Sequence, residues 1–217
     1  MKSKKILKIG ICCLGLIMTL VIVQPAGAQN LLSDPSFEAG SPNPSWFESS
    51  TNFGTPLCTI GGCGNGAGTT GPHTGDWWAW FGGISAYEEG LVSQSVVIPA
   101  GSATLSFWLW IGVRSGNGID YLSALMDGNP VFTVYEYTAG YDSYTQVTLD
   151  VSSYADGAPH TLEFLSEIFG PSLSNISIDD VELVSNNEVP IGTWSIFIAL
   201  GLIVVFTFLR FRNAYSA

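Results

Sequence analysis

Tryptophan and tyrosine side chains are the residues of this chain whose spacing best fits a binding chemistry. Trp108 and Trp110 alternate along a predicted strand at 103–113 and therefore share one of its faces. Tyr141 and Tyr144 follow in a predicted loop. Because sugar rings have apolar C–H faces that stack on aromatic rings, these four residues are predicted to contact a carbohydrate. The alternative is that Trp108 and Trp110 pack beneath a loop, as several aromatic rings do in a domain of this size.

Two adjacent aspartates interrupt the last predicted strand, at 175–184. The apolar residues before Asp179-Asp180 alternate in one phase, and those after it alternate in the other. A slip of one residue is the effect of a β-bulge, and bulges often change the direction of a side chain. The sequence therefore predicts a bulge that redirects a carboxylate.

Two cysteines lie five residues apart in the middle of the chain. Cys58 and Cys63 enclose a glycine-containing segment, which predicts a local disulfide in an exported protein. A metal site with two thiolates is the alternative, but neither His73 nor His160 is close in sequence. The disulfide would hold a glycine-rich loop at 54–75 in place.

No catalytic motif with specific spacing is present. The sequence lacks G-x-S-x-G, H-E-x-x-H and a phosphate-binding loop. Glu163 and Glu167 on the outer face of one predicted strand, and Glu88-Glu89 in a predicted loop, could supply the two carboxylates of a glycosidase. We interpret all four as a solvated acidic surface, so the chain is predicted not to be an enzyme. An enzyme of unknown type is kept as a second alternative.

Charge is distributed unevenly along the chain. All 18 acidic residues lie between Asp34 and Glu188, where Arg114 is the only basic residue, which gives this part a net charge of −17 (18 acids less one base). Phosphate contacts need clustered Lys and Arg, so a nucleic-acid-binding domain is excluded. The same charge argues against peripheral binding to anionic lipid.

The N-terminal segment has the features of a secretory signal peptide. Four lysines precede an apolar stretch, and Ala26-Gly27-Ala28 forms a small-x-small cleavage site with the cut after Ala28. An uncleaved anchor helix is the alternative. Export from the cytoplasm is expected.

The C-terminal segment is long and apolar enough to cross a bilayer once. No charged residue occurs from Thr193 to Leu209, and a buried core helix is the weaker alternative. Arg210 and Arg212 predict a cytoplasmic end and a domain outside the membrane. The predicted organisation is a signal peptide at 1–28, a domain at 29–185, a linker and sorting motif at 186–190, a transmembrane helix at 191–211 and a basic cytoplasmic tail at 212–217.

The same tail carries a resemblance. Val189–Ser195 (VPIGTWS), the apolar segment and Arg210-Phe211-Arg212 resemble a C-terminal sorting signal of the exosortase type. The familiar Pro-Glu-Pro motif is absent, so this would be a variant. The resemblance implies a membrane sorting protease as a partner, which removes the tail and passes the protein to the cell surface. A permanent single-pass anchor is the alternative.

Short apolar runs separated by Gly, Pro, Asn and Asp clusters predict an all-β domain at 29–185. Their number and spacing favour a two-sheet antiparallel jelly-roll sandwich. Asp127-Gly128-Asn129 between two strands indicates a hairpin. The predicted strands are 46–53, 77–81, 91–98, 103–113, 119–126, 131–137, 145–151, 161–168 and 175–184.

Five segments of this domain carry a second resemblance: Asn30–Glu38 (NLLSDPSFE), Leu91–Gly101 (LVSQSVVIPAG), Ala103–Ile111 (ATLSFWLWI), Tyr154–Phe164 and Ile178–Leu183 (IDDVEL). They resemble the galactose-binding-like jelly rolls of bacterial carbohydrate-binding modules, of the kind attached to cellulases and xylanases. The fold is shared by sugar binders, adhesion domains and modules with no known ligand.

The resemblance also implies one structural calcium where the first and last strands meet. Glu38 maps to the acidic residue of the opening motif, and Asp179 or Asp180 maps to the closing carboxylate. Carboxylates and backbone carbonyls are the ligands that calcium prefers. Solvated acids beside a strand end are the alternative.

The sequence therefore predicts an exported, non-catalytic binding module displayed at the cell surface, with a polysaccharide or glycan as its partner. A structural or adhesive protein of the extracellular matrix or envelope, without a discrete sugar ligand, is the alternative function.

Overall fold

The computed structural model describes residues 29–64, 68, 71–186, 200–204 and 206. In the described part of residues 29–186, ten strands, one short α-helix and one 3-10 helix (Ser152–Tyr154) form. The strands and the α-helix are β1 (Phe47–Ser50), β2 (Leu57–Thr59), α1 (Ile60–Cys63), β3 (Trp77–Gly82), β4 (Glu88–Val97), β5 (Ser102–Ile111), β6 (Tyr121–Met126), β7 (Asn129–Tyr135), β8 (Thr145–Asp150), β9 (Pro159–Ile168) and β10 (Asn175–Asn186).

The strands form two antiparallel five-stranded sheets. The first sheet has the order β1-β4-β9-β6-β7, and the second has the order β2-β3-β10-β5-β8. Alternate residues of both sheets supply one core, in which Phe107 of the second sheet contacts Phe132 and Phe164 of the first with ring centroids 5.7 and 5.0 Å apart. This confirms the predicted all-β fold and fits the predicted sandwich.

Local sequence accounts for one tight turn and one bulge of the sheets. Asp127 and Gly128 both have positive φ, 51° and 75°, which is the geometry of a tight hairpin turn, and Asp-Gly is a preferred sequence for it. The pairing of β10 with β5 shifts between Asp179 and Glu182, and Asp180 has a φ of 47°. The bulge predicted at Asp179-Asp180 is confirmed.

All nine predicted strands are present, with ends that differ by a few residues. The sequence did not predict β2, which has three residues and lies in the glycine-rich segment. Glu88-Glu89 was predicted to lie in a loop, and this was wrong: both residues begin β4.

The two ends of the domain meet at one side of the second sheet. Asn30 forms an isolated β-bridge with Val184, and Leu31 donates a backbone hydrogen bond to Leu183 O at 2.8 Å. The predicted signal peptide and most of the predicted transmembrane helix lie outside the described residues. Residues 200–204 and 206 are helical, and no helix in the described part of the chain is long and apolar enough to span a membrane.

Candidate functional site

The outer face of the second sheet carries the two tryptophans that the sequence singled out. Trp108 and Trp110 of β5 lie opposite Asp179 and Ser177 of β10 and point away from the core. Residues 71–76, here called the cover segment, lie over this face. Trp110 is buried, and its indole N–H donates to the carbonyl of Asp142 at 3.0 Å.

Aromatic contacts join the cover segment to the sheet. The His73 imidazole stacks on the Trp108 indole with centroids 4.0 Å apart and planes at 17°. Tyr144 meets His73 edge-on at 5.2 Å, and its hydroxyl donates to Gly71 O at 2.8 Å. Burial raises the pKa of Tyr144, and the negative charge of Asp179 adds to that rise. Tyr144 therefore acts as a packing residue of the cover.

Of the four residues predicted to contact a sugar, Trp110 is buried, and Trp108, Tyr141 and Tyr144 are partly buried. Tyr141 packs against the core, Trp110 contacts Asp142 and Tyr144, and Tyr144 bonds to Gly71 of the cover segment. Trp108 borders an open hollow of about 200 Å³ with polar side chains that include Ser36, Gln146 and Glu182. Sugar contact by Trp108, Trp110, Tyr141 and Tyr144 stays a prediction.

The bulge directs the two aspartates to the cover segment. Asp179 is fully buried and accepts the backbone N–H groups of His73 at 2.7 Å and Thr74 at 3.1 Å. Burial raises the pKa of Asp179 to about 7, and the charge of Asp180 adds to this rise. The left-handed backbone conformation at Asp180 turns the Asp180 carboxylate toward the cover segment as well.

Asp180 joins the opening segment of the domain to the cover segment. Its carboxylate accepts from Ser36 Oγ and from Thr74 Oγ1 at 2.6 Å, and lies 2.6 Å from His73 Nδ1. Burial alone would raise the pKa of Asp180, but these hydrogen bonds outweigh it and lower the pKa.

Glu38 lies on the other side of the cover segment. Its Oε1 accepts the backbone N–H groups of Asp76 at 2.9 Å and Trp77 at 3.0 Å. The three carboxylates predicted as calcium ligands thus all accept hydrogen bonds from N–H or O–H groups of the cover segment or its neighbours. In the described ranges, no three His, Cys, Asp or Glu side chains are grouped to hold a metal ion. Calcium binding stays a prediction.

The predicted disulfide is confirmed. Cys58 and Cys63 are bonded, with Cα atoms 5.8 Å apart, across α1, and Thr59 Oγ1 caps this helix by accepting from Gly62 N at 3.1 Å. The bond lines a cavity of about 350 Å³ with the rings of Phe53 and Trp80. It fixes the beginning of the loop that leads to the cover segment.

The outer face of the first sheet has a different character. Register places Glu89 opposite Glu167, Glu167 opposite Tyr121, and Tyr121 opposite Tyr135, in one row across four strands. With strands about 4.8 Å apart, this row spans about 14 Å. Tyr135 is 50% exposed, so the row is open to a large ligand.

Four aromatic rings lie in a continuous series of contacts along this line of paired residues. They are Tyr87, Phe169, Tyr121 and Tyr135, and we call these four rings the aromatic row. Centroids are 6.0 Å apart for Tyr87 and Phe169, 6.5 Å for Phe169 and Tyr121, and 6.1 Å for Tyr121 and Tyr135. Tyr87 is 44% exposed and Phe169 40% exposed. Exposed aromatic rings in contact with one another form a binding platform more often than isolated ones do.

Two glutamates hold the phenols of the aromatic row, and we call Glu89 and Glu167 the glutamate pair. Tyr87 donates to Glu167 at 2.9 Å and to Glu89 at 3.3 Å, and Tyr121 donates to the other oxygen of Glu167. The hydrogen bond to Glu167 raises the pKa of Tyr87 to about 12. Burial, followed by the same carboxylate, raises the pKa of Tyr121. Both tyrosines are therefore neutral, with their rings held in place.

Sequence reasoning placed Glu163 and Glu167 correctly on an outer face, but it did not connect Glu167 to any tyrosine. It also interpreted Glu88 as a surface acid, and this was wrong, because Glu88 is 2% exposed. Its carboxylate accepts from Ser50 Oγ and from the backbone N–H of Asn52 at 2.9 Å. Glu88 therefore fixes the turn after β1 at one end of the first sheet.

Comparisons with known proteins give matches among solved structures. No family model matches the sequence, and no curated protein matches it. The carbohydrate-binding module TmCBM61, solved in complex with β-1,4-galactotriose, is similar with a TM-score of 0.52 and 20% identity, over 73% of this chain and 100% of that chain. The K1 cleaved adhesin domain of Lys-gingipain from Porphyromonas gingivalis W83 has a TM-score of 0.47 and 14% identity, over 70% and 96% of the two chains.

A third structure is the family 11 carbohydrate-binding module of the cellulase Lic26A-Cel5E of Clostridium thermocellum, with a TM-score of 0.39 and 11% identity, over 75% of this chain and 97% of that chain. At these identities the likeness is one of fold. The likeness to TmCBM61 shows that the two five-stranded sheets form a β-sandwich of the kind found in carbohydrate-binding modules.

Proposed function

We propose that this protein is a non-catalytic carbohydrate-binding module whose ligand surface is the aromatic row on the first sheet. The observation that carries the proposal is the run of four partly exposed rings, Tyr87, Phe169, Tyr121 and Tyr135, with Glu167 accepting from two of their phenols. Rings of this kind offer apolar faces for stacking, and the carboxylate offers acceptors for hydroxyl groups.

The neighbouring row of the sheet adds an exposed hydroxyl group beside the aromatic rings. Ser123 and Thr133 lie directly beside Tyr121 and Tyr135 on the same outer face, with their hydroxyl oxygens 2.8 Å apart. Ser123 is 6% exposed, whereas Thr133 is exposed, so the Thr133 hydroxyl can donate to or accept from a sugar. The likeness in fold to a galactotriose-binding module makes β-1,4-galactan the first polysaccharide to test.

Export, display at the cell surface, anchoring by the C-terminal segment and processing by an exosortase-type protease are part of the same proposal. So is a structural calcium in the region of Glu38, Asp179 and Asp180. These parts are supported by the sequence patterns and resemblances described above. A binding domain carried outside the cell would meet polysaccharides there.

A binding panel with single substitutions tests the proposal. The purified full chain is titrated with soluble β-1,4-galactan, xylan and β-glucan by calorimetry, and Tyr135→Ala is compared with Phe53→Ala. Both residues are exposed aromatics, but Phe53 lies in the cavity beside the disulfide. We expect Tyr135→Ala to weaken binding about tenfold or more, as for an exposed aromatic ring that stacks on the ligand, and Phe53→Ala to leave it unchanged.

Trp108→Ala distinguishes the two sheets. Loss of binding with Trp108→Ala and not with Tyr135→Ala would move the ligand site to the hollow on the second sheet, and the assignment of the aromatic row would be wrong. Absence of binding to every polysaccharide would favour the structural or adhesive alternative.

A further inference from the structure

The glutamate pair has an unusual environment for two neighbouring charges. Glu89 and Glu167 lie directly opposite each other on adjacent antiparallel strands, a position in which like charges destabilise a sheet. Their hydrogen bonds come from the neutral phenols of Tyr87 and Tyr121. Phenols orient the carboxylates but do not neutralise them.

Among the described residues, no basic side chain is placed to balance the charge of the glutamate pair. Arg114 is the only basic residue between Asp34 and Glu188, and its guanidinium bonds to Asp142 at 2.8 Å and to the backbone carbonyl of Glu136 at 2.6 Å. The aromatic row therefore presents two uncompensated carboxylates in a domain of strongly negative charge. Such a surface repels anionic ligands and attracts cationic ones.

The aromatic rings themselves also favour a positively charged ligand. An ammonium group placed over the face of a tyrosine or phenylalanine is attracted by the ring quadrupole. Tyr87 and Phe169 lie edge-to-face at 6.0 Å, next to both carboxylates of the pair. One ligand group that satisfies both features is a protonated amine attached to a ring with apolar C–H faces.

We infer that the aromatic row selects amine-bearing glycans, that is, polysaccharides with free amino-sugar residues, over neutral glycans, and that it rejects uronic-acid polymers. This inference rests on the proposed function, because it concerns the ligand class of the same surface. The amine would donate to Glu167 or Glu89 while the sugar ring stacks on the tyrosines. A uronate would place a third carboxylate beside the pair.

The test compares three hexasaccharides of similar length on the purified full chain by calorimetry: β-1,4-linked glucosamine, its fully N-acetylated form, and oligogalacturonate. At 20 mM salt and pH 6, we expect the glucosamine hexamer to bind at least tenfold more tightly than the acetylated one, with oligogalacturonate not bound. Raising the salt to 0.5 M should remove most of the advantage, because exposed charges are then screened.

Substitutions separate the glutamate pair from the general charge of the domain. Glu89→Gln and Glu167→Gln should each lower, several-fold, the ratio of the affinity for the glucosamine hexamer to the affinity for the acetylated hexamer. Asp76→Asn, which removes one exposed carboxylate from the cover segment, should leave the preference unchanged.

The outcomes distinguish this inference from the proposed function. Equal affinity for the amine and its acetylated form would overturn the inference while leaving a carbohydrate-binding module in place. A preference for the amine that survives both glutamine substitutions would overturn it too, because the domain's total charge would then be its cause. Failure to bind any glycan, here and in the polysaccharide panel, would reject the proposed function itself.

Discussion

Glu88 and Glu89 provide a matched pair for testing how the buried carboxylate stabilises the first sheet. The two residues are adjacent in β4 and carry the same charge, but Glu88 is 2% exposed while Glu89 faces solvent. Glu88 accepts from Ser50 Oγ and from the backbone N–H of Asn52, so Glu88→Ala removes at least two hydrogen bonds to a charged acceptor. Each is worth about 1.5–3 kcal/mol.

Because Asn52 is exposed, water can replace the carboxylate at its N–H group, which lowers the expected loss. We expect Glu88→Ala to reduce the free energy of unfolding by about 2 kcal/mol, or about 4–8 °C in Tm for a domain of this size. Glu89→Ala should stay within about 0.5 kcal/mol, since it removes an exposed charge that faces Glu167 across the sheet.

Urea unfolding at 25 °C, followed by tryptophan fluorescence, measures both variants against the parent chain. Each substitution removes one negative charge, so the difference between the two reports the hydrogen bonds of Glu88 rather than the net charge. Equal losses for Glu88→Ala and Glu89→Ala would refute this account of the turn after β1.

Three further outcomes are expected. Reduction of the Cys58–Cys63 bond should lower stability by about 2 kcal/mol, because the closed loop is short; intact stability after reduction would contradict this. The pKa of His160 is raised, chiefly by Asp127 and then by Asp156, so its stabilising effect is complete below about pH 6.5 and is lost as the pH rises through the folded-state pKa. His160→Gln should remove that loss from urea titrations at pH 6 and 8, and an unchanged pH dependence would count against it. Calcium should raise Tm more than magnesium at equal ionic strength, and equal responses would mean that only charge screening occurs.

Much of the sandwich could be predicted because its local signals agree. Alternating apolar residues marked nine strands, and Asp127-Gly128 marked the hairpin between β6 and β7. The phase slip at Asp179-Asp180 located a bulge, since a one-residue slip in a half-buried strand would otherwise expose its apolar face. The cysteine spacing predicted the correct disulfide for the same reason: it is a local constraint.

The candidate site could not be predicted because it depends on the register between β6 and β7. The sequence alone does not determine that register. A regular two-residue hairpin pairs Met126 with Asn129 and would place Tyr121 opposite Val134. A second irregularity, between Ala124 and Leu125, shifts the pairing by one residue and places Tyr121 opposite Tyr135 instead. The contact between Tyr121 and Tyr135 in the aromatic row depends on that shift. No residue at the site predicts the shift from the sequence.

The cover segment was beyond prediction for a related reason. Trp108 and Trp110 have the spacing of a ligand-binding face, and alternation cannot tell an open face from one on which a distant loop lies. The contacts that close it, His73 on Trp108 and the backbone of His73 on Asp179, join residues more than 30 positions apart in the chain.

The antiparallel course of β10 gives the domain a near end and a far end. Asn186, where the described strand stops, pairs with Ser102, and the chain's entry is bridged beside it by Asn30 and Val184. The other end of β10, at Asn175, is roughly 35 Å away along twelve residues of strand, and Glu167 lies at that end of β9. A domain held by its C-terminal segment would thus carry the tyrosines of the aromatic row at the end farthest from that segment. The length of the strands would then set the distance between the C-terminal segment and the tyrosines. That distance would set how far from a membrane the domain could contact a polymer.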